Sequence, residues 1–251
     1  MVNSLLIVKM KRFRRKRIII WLSILILLLV QEIKGVDINE IIKNAQEQYK
    51  SQEEYLKNYS FSAHLTAKAM NKSGKVLWDE SGEQEIYVKE GKKYTEIITW
   101  IKNGKLLSQK ELKKKEEKMN KDIKEVKKEV SYWPFKPGIE KYYLYKLLGE
   151  EEVNEYHAYK INVIPKKKDK KQEFYEGNFW LDTKTYGVVK AVFTTTKLPK
   201  LHKKMKTEEN YKQIQSAIWL PISKFIKSEV SAIIYEVDVE MKITYFDYKI
   251  N

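Results

Sequence analysis

The side chains that most often carry out chemistry in proteins are sparse in this sequence. Its three histidines, His64, His157 and His202, are far apart, and none belongs to a metal-ligand spacing such as HExxH or HxH. A GxSxG motif, a glycine-rich phosphate loop and a calcium-loop pattern are all missing from the sequence. We therefore predict a protein that is not an enzyme and that holds no metal and no cofactor.

The charged residues favour solvated surfaces over a catalytic or nucleic-acid site. The acidic runs at residues 150–152 and 208–209 lie among turn and lysine residues, so solvated loops explain them better than paired catalytic carboxylates do. Every arginine lies between Arg12 and Arg17, which leaves lysine as the strong cation of the remaining chain. Because base contacts and bidentate phosphate clamps favour arginine, we predict no nucleic-acid partner.

The aromatic content is the remaining chemical feature, with 17 Tyr, 6 Trp and 8 Phe, many of them in segments typical of strands. A buried aromatic side chain offers a broad apolar surface, and Tyr and Trp add one polar tip. The pattern fits a packed β-core and an apolar ligand cavity equally well. The candidate lining residues of such a cavity are Phe61, Leu65, Ile98, Trp100, Phe179, Leu181, Trp219, Val237, Val239 and Met241.

The elements that must position these side chains begin with an amphipathic helix. Asp37-x-x-Glu40 is a variant of the capping box, and Ile38, Ile41, Ile42 and Ala45 follow at helical spacing. From Tyr59 the apolar period changes to two, which indicates strands. We predict strands at residues 59–67, 76–78, 83–89, 94–101, 142–148, 156–164, 173–181, 188–195, 217–227 and 232–248.

Several segments between these strands have turn or loop signals. Ser81-Gly82 and Asn103-Gly104 are typical of turns, and the second pair is a strong hairpin dipeptide. The lysine-rich stretch from Leu198 to Gln213 is predicted to be a loop with a short helix. Residues 132–138 form an aromatic loop bounded by prolines. At about residues 106–131 we predict a charged helical insertion, which is either a surface helix or a mobile lid over a cavity.

This order of elements predicts a mainly β fold. Sequential antiparallel strands with one apolar face each cannot form a flat open sheet without exposing that face. We therefore expect a barrel or a half-barrel, with the two helices covering or plugging its concave side.

The first 35 residues are typical of an export signal. The basic run Lys11–Arg17 precedes the apolar segment Ile18–Val30, which is shorter than the roughly 20 residues of a membrane-spanning helix. We expect cleavage before Val36, with an uncleaved inner-membrane anchor as the alternative and Met10 as an alternative start. Eight basic residues and one acid lie in this segment, so the net charge falls from +15 to +8 without it. The sequence has no cysteine, which excludes disulfides and a lipid-modified N-terminus.

Short motifs spread over residues 36–251 resemble a known family. Tyr59-Ser60-Phe61 opens the predicted strands, the segment 177–182 (GNFWLD) runs into a turn before Val188, and Trp219-Leu220-Pro221 precedes the closing strand. Together with the export signal and the leading helix, these motifs resemble the LolA-like, outer-membrane lipoprotein-sorting proteins. The resemblance implies one domain over residues 36–251, an unclosed antiparallel β-barrel of about eleven strands whose mouth is covered by helices.

The same resemblance implies a function in the periplasm. A LolA-like protein is expected to carry the acyl chains of lipoproteins or lipids in an apolar cavity, between an inner-membrane transporter and an outer-membrane acceptor. The studied carriers hold their lid with an arginine inside the barrel, and this chain has no arginine to match beyond Arg17. Two other interpretations remain: a sensor or regulatory module of the same fold, and a structural adaptor whose barrel is solid.

Overall fold

The fold is known from a computed structural model that describes residues 36–90, 92–125, 132–167, 172–232 and 235–250. The predicted export signal lies outside these residues. The described part of the chain has two α-helices, α1 (Ile38–Tyr55) and α2 (Gln109–Glu125), and residues from Ile38 onward form one compact unit. The strands are β1 (Asn58–Asn71), β2 (Val76–Lys89), β3 (Lys92–Lys102), β4 (Lys105–Leu106), β5 (Tyr143–Val153), β6 (Tyr156–Pro165), β7 (Tyr175–Asp182), β8 (Val188–Thr195), β9 (His202–Gln215), β10 (Ile218–Ala232) and β11 (Tyr235–Ile250).

All eleven strands belong to one antiparallel sheet. Their order is β4-β3-β2-β1-β11-β10-β9-β8-β7-β6-β5, so the last strand pairs with the first and brings the two ends of the domain together. Strands β4 and β5 form the two edges and do not pair with each other. The prediction of a mainly β, unclosed antiparallel barrel with covering helices is confirmed. We call the face of the sheet that packs against α1 and α2 the inner face.

The larger core lies on the inner face of β5–β8. Ile41, Ile42 and Ala45 of α1 are buried there, as are Phe135 of the aromatic loop and Ile139, which directly follows the loop. The loop inserts its rings against the sheet: Trp133 and Phe135 contact the Phe179 ring at centroid distances of 5.5 and 5.4 Å. We call β5–β8, α1 and residues 132–139 the large wing; helix and loop fill its inner face with side chains.

Side-chain amides hold α1 in place. The Gln52 amide donates to the Trp219 carbonyl at 2.9 Å, and its oxygen accepts the Trp219 amide proton at 2.9 Å. Gln48 donates to the Ala217 carbonyl at 2.8 Å, and Gln46 donates to the Glu140 carboxylate at 2.7 Å. The bonds of Gln48 and Gln52 satisfy backbone groups at the start of β10, so these two side chains of α1 take part in the hydrogen bonding of the sheet.

Helix α2 covers the edge of β3. Among the described residues, β3 pairs with β4 only at Ile101 and Lys102. Asn120 accepts a hydrogen bond from the Thr95 amide and donates to the Thr95 carbonyl, both at 2.8 Å. Glu116 accepts from the Ile97 amide at 3.2 Å. The predicted insertion thus supplies backbone partners that a neighbouring strand would otherwise supply, and we call β1–β3 with α2 the small wing.

A second, smaller core lies beneath α2. Leu112 packs there with Leu65, Ala67, Ile97 and Trp100. The Trp100 indole donates to Glu80 at 2.9 Å, and Lys115 both lies 4.0 Å from the Trp100 ring centroid and bonds to Glu80 at 3.1 Å. Helix α2 is therefore held against the sheet by apolar packing and by the Glu80 carboxylate, to which both Trp100 and Lys115 bond.

Two predictions about local structure were wrong. Ser81-Gly82 does not turn the chain: β2 runs unbroken through it, because a Cβ at Gly82 would lie 2.1 Å from the Trp100 ring, and only glycine allows this approach. The stretch from Leu198 to Gln213 is mostly strand β9 instead of a loop with a helix. Its buried inner positions include Thr207 and Glu209, so no apolar alternation marks it in the sequence.

Candidate binding site on the inner face

The predicted cavity residues lie in different parts of the structure: some are in packed cores, and others are in regions that the helices leave open. Phe179 and Leu181 are fully buried in the large wing beneath α1 and the aromatic loop. Leu65 and Trp100 are buried in the small wing beneath α2. These four side chains contact other side chains of their own cores, so in both wings the covering helices occupy the inner face.

Ile98 lies on the outer face of the sheet, with 46% of its surface exposed. Strand β2 pairs Gln84 with Ile97 and Glu83 with Thr99, which leaves Ile98 as the extra residue of a β-bulge. The bulge shifts the alternation so that Ile97 and Trp100 both face inward. A strict period of two therefore assigns Ile98 to a face that it does not occupy.

Between the wings lies a strip of apolar side chains that neither helix buries. Register places Leu65 beside Ile243 and Ala67 beside Met241, and Met241 is in turn paired with Ile226, so these residues share the inner face. The residues of this strip are all half-buried, and we call it the central trough. They are Phe61, Ile226, Val230, Val237, Val239, Met241, Ile243 and Tyr245.

Aromatic rings close one end of the central trough. The Phe61 ring lies 5.2 Å from that of Tyr248, 5.7 Å from that of Tyr245 and 5.9 Å from that of Tyr59, measured between centroids. Burial raises the pKa of Tyr59, Tyr245 and Tyr248, so the phenols stay neutral. This end of the trough is thus apolar along the rings and polar only at the hydroxyl tips.

A small group of charges lies next to these rings. Lys224 forms an ion pair with Glu209 at 2.8 Å, and the Tyr211 hydroxyl donates to the same carboxylate. Desolvation and the nearby charge of Lys224 lower the pKa of Lys93, a residue at the inner face of β3. The ammonium groups of Lys93 and Lys224 therefore lie in the same part of the trough, and the Glu209 carboxylate pairs with Lys224.

Trp219 lies away from the trough, at the wall of a separate cavity. Its side chain is 3% exposed and borders a cavity of about 240 Å³ between α1 and the sheet, together with Tyr49, Trp133 and Tyr211. The indole rests on Gly187, where a Cβ would lie 2.2 Å from Nε1. The ten predicted residues thus occupy two packed cores, the outer face, the trough and this cavity.

Sequence reasoning missed several residues of the inner face. Ile226 lies in the strand predicted at residues 217–227, but no face was assigned to it, and Val230 lies in β10 beyond the end of that prediction. Glu209 and Tyr211 lie in β9, which was not predicted. The alternation of Met205, Thr207, Glu209 and Tyr211 is the signal that could have found them, although only its two ends are apolar or aromatic.

Neither a metal-ligand cluster nor a membrane-spanning helix is found in the part of the chain that the structure describes. Within the described ranges, no cluster of three or more His, Asp or Glu side chains is arranged to hold a metal ion. Neither α1 nor α2, the helices of the described part, is long and apolar enough to cross a membrane.

The class of protein follows from this architecture. An unclosed antiparallel sheet of eleven strands, with helices on its inner face, is an open barrel, the architecture expected of the LolA-like proteins that the sequence resembles. The chain belongs to the family of unknown function DUF5686, whose model matches residues 41–248. None of the curated proteins compared with it matches the chain.

Solved structures with a similar fold come from several bacteria. One, described as an outer membrane lipoprotein-sorting protein domain from Vibrio parahaemolyticus, is 15% identical, with a TM-score of 0.41 over 84% of this chain and 92% of that chain. A LolA superfamily protein from Nitrosomonas europaea is 14% identical, with a TM-score of 0.35 over 86% and 94%. A DUF1329 family protein from Desulfovibrio piger is 13% identical, with a TM-score of 0.34 over 84% and 93%.

Proposed function

We propose that the protein is a periplasmic carrier that binds the acyl chains of lipids or lipoproteins along the central trough and moves them between envelope membranes. It acts without covalent chemistry. Residues 1–35 serve as its export signal, and an inner-membrane donor and an outer-membrane acceptor are its partners.

The half-buried apolar strip of the central trough carries this proposal. Eight apolar or aromatic side chains on neighbouring strands form a continuous surface that the two helices leave accessible. Contiguous exposed apolar surface in a monomer commonly marks a binding site. An acyl chain gains about 0.8 kcal/mol for each CH₂ that leaves water, so such a strip suits a long hydrocarbon.

The charges at one end of the trough support a polar headgroup there. Lys93 and Lys224 repel each other, which contributes to the lowered pKa of Lys93. A carboxylate or phosphate on the ligand would relieve this repulsion. The proposed orientation therefore places the headgroup near Lys93 and Lys224 and the chain toward Met241 and Val237.

Two neighbouring residues of β10 allow a matched test. Ile226 faces the trough, whereas Phe225 is on the outer face and is 39% exposed. We expect Ile226→Ser to weaken binding of a fluorescent long-chain fatty acid about tenfold, and Phe225→Ser to leave it unchanged. Protein purified from the periplasm without detergent should carry lipid that native mass spectrometry detects.

The carrier proposal fails if the wild-type protein is free of lipid after such purification and does not bind the fatty acid. Equal binding by the two serine variants would place the lipid elsewhere. Transfer of a labelled lipid between two vesicle populations, accelerated by wild-type protein and less by Ile226→Ser, distinguishes a carrier from a protein that only binds.

The packed wings favour one other candidate, an envelope adaptor or sensor of the same fold. In both wings side chains cover most of the inner face, as a mainly structural domain requires. A stable membrane partner in a pull-down from detergent extracts, without lipid transfer between vesicles, would favour this candidate over the carrier.

A further inference from the structure

The cavity beneath α1 has features that an acyl-chain site does not need. Its volume of about 240 Å³ is below the roughly 300–1,000 Å³ typical of drug-sized ligands, so it suits one small ring. It lies between the C-terminal half of α1 and the starts of β8 and β10. Its walls are mainly aromatic, with rings from Tyr49, Trp133, Phe135, Tyr186, Tyr211 and Trp219.

One wall carries a buried hydrogen-bond donor that finds no acceptor. The Nε1 proton of Trp219 has no partner among the described protein groups, although the side chain is almost fully buried. Burying an N–H group without an acceptor is unfavourable. The close approach to Gly187 shows that the indole fits this position tightly, since any side chain there would displace it. A ligand oxygen that reaches Nε1 from the cavity would satisfy this donor, and a hydrocarbon would not.

Two tyrosines of the wall offer acceptors. The Tyr211 hydroxyl donates to Glu209, and the Tyr49 hydroxyl is hydrogen-bonded to Glu53. With their protons committed to carboxylates, both phenol oxygens present lone pairs. Burial and the adjacent carboxylate raise the pKa of Tyr49 to about 12 and that of Tyr211 well above its usual value, so both remain neutral.

The charges behind the walls select against anions. Glu53 places negative charge beside Tyr49, and the charge of Glu209 beside Tyr211 is balanced by its ion pair with Lys224, so the walls offer no net positive charge to a carboxylate or phosphate in the cavity. Aromatic walls can also bind a quaternary ammonium group, but such a group offers no acceptor for the Trp219 proton. The ligand must therefore be neutral, accept at least one hydrogen bond, donate others and have an apolar face for the rings.

We propose that the cavity beneath α1 is a second site, separate from the central trough, that binds a neutral sugar ring. The C–H face of the sugar lies against the aromatic walls, one ring or hydroxyl oxygen accepts the Trp219 proton, and hydroxyl groups donate to Tyr49 and Tyr211.

A neighbouring opening shares Tyr49 and Gln52 with this cavity and is lined further by Leu56 and Asn58, so the end of a longer glycan can leave along the last turn of α1.

The test uses the whole mature protein with ¹⁵N-labelled tryptophan. Glucose, galactose, mannose and N-acetylglucosamine are titrated while the Trp219 indole N–H resonance is followed by NMR. We expect a saturable shift of that resonance with at least one of these sugars, and none with glucuronate. Trp219→Phe keeps an aromatic ring without the donor and should weaken binding about tenfold, measured by saturation-transfer difference.

Two variants serve as controls. Trp100→Phe removes an indole proton that bonds to Glu80 at 2.9 Å in the small wing, and it should leave sugar binding unchanged. Ile226→Ser, in the trough, should leave it unchanged as well. The proposal is overturned if no neutral sugar gives a saturable shift, if Trp219→Phe binds equally well, or if a fatty acid displaces the sugar. The NMR titration with neutral sugars uses the wild-type protein, so it tests the proposal even if Trp219→Phe folds poorly.

Discussion

At the scale of single residues, the contact between Gly82 and Trp100 decides how β2 and β3 fit together. The indole lies directly over the glycine, and its N–H bonds to Glu80 of the same strand. Because of this contact, Ser81 and Gly82, a pair typical of turns, lie in the middle of strand β2. The small wing depends on it because Trp100 is the largest side chain of that core.

We expect Gly82→Val to reduce the free energy of unfolding by about 2–3 kcal/mol, because the new side chain overlaps the Trp100 ring and the Thr99 carbonyl. Urea unfolding followed by tryptophan fluorescence measures this change. Ser81→Val, on the opposite face, is the control and should change stability by no more than about 0.5 kcal/mol. Equal effects of the two variants would contradict the proposed contact.

His157 lies between two carboxylates on the surface. Its ring nitrogens contact Glu150 at 2.7 Å and Glu152 at 3.0 Å, and these hydrogen bonds raise the pKa of His157 above its usual value. The side chain is exposed, and the sequence places it in no metal-ligand spacing. The raised pKa nevertheless gives it a testable effect on stability.

The stabilisation from His157 should depend on pH in one direction. Because the folded-state pKa exceeds the unfolded value of about 6.5, the contribution is complete below about pH 6.5 and is lost as the pH rises through the folded-state pKa. Wild type should therefore be more stable than His157→Gln in mildly acidic buffer and equal to it in alkaline buffer. An NMR titration of the His157 ring should show a lower pKa in the Glu150→Gln, Glu152→Gln double variant; an unchanged pKa would contradict this origin.

At the scale of elements, α2 is a cover for a sheet edge. An unpaired edge strand exposes amide and carbonyl groups that invite pairing with another chain. Asn120 and Glu116 satisfy such groups on β3 with side-chain atoms. The two interpretations of the insertion, surface helix and mobile lid, both omitted this role because it depends on contacts between distant residues.

We expect Asn120→Ala to destabilise the protein by about 1–2 kcal/mol and to expose the edge of β3, since both Thr95 backbone groups lose their partner. Hydrogen exchange at the Thr95 amide should become faster, and self-association should increase in sedimentation. Lys121→Ala, at an exposed neighbouring position, is the control. If Thr95 exchanges equally fast in both variants, α2 does not protect this edge.

The elements also show what the sequence could and could not predict. Strand β8 was predicted to the residue because valine and threonine are frequent in it, and the closing strand was predicted to within three residues at either end because its apolar and polar positions alternate. Strand β9 was missed because Thr207 and Glu209 occupy inner positions, where the ion pair with Lys224 compensates the buried charge. The Ile98 bulge and the filling of each wing depend on long-range packing, which a local period does not encode.

At the scale of the whole molecule, the central trough lies between two cores of unequal size. The large wing combines α1, the aromatic loop and four strands around one buried cluster, whereas the small wing has one helix over a few side chains. Local stability follows the amount of buried apolar contact. The wings should therefore open independently, with the small wing opening at a lower cost.

Native-state hydrogen exchange at increasing urea concentrations tests this difference. We expect amides of Ile161, Phe179 and Ala191 to exchange only through global unfolding, and amides of Ile86 and Ile97 to exchange through a partial opening whose free energy is about 2 kcal/mol or more lower. A saturating fatty acid should narrow this gap, because a ligand in the trough contacts Met241 and Ile243, which pack against the small core. Identical exchange free energies in the two wings would mean that the sheet unfolds as one unit and that α2 does not open independently. The Phe225→Ser variant, which alters only the outer face, should keep the difference between the wings.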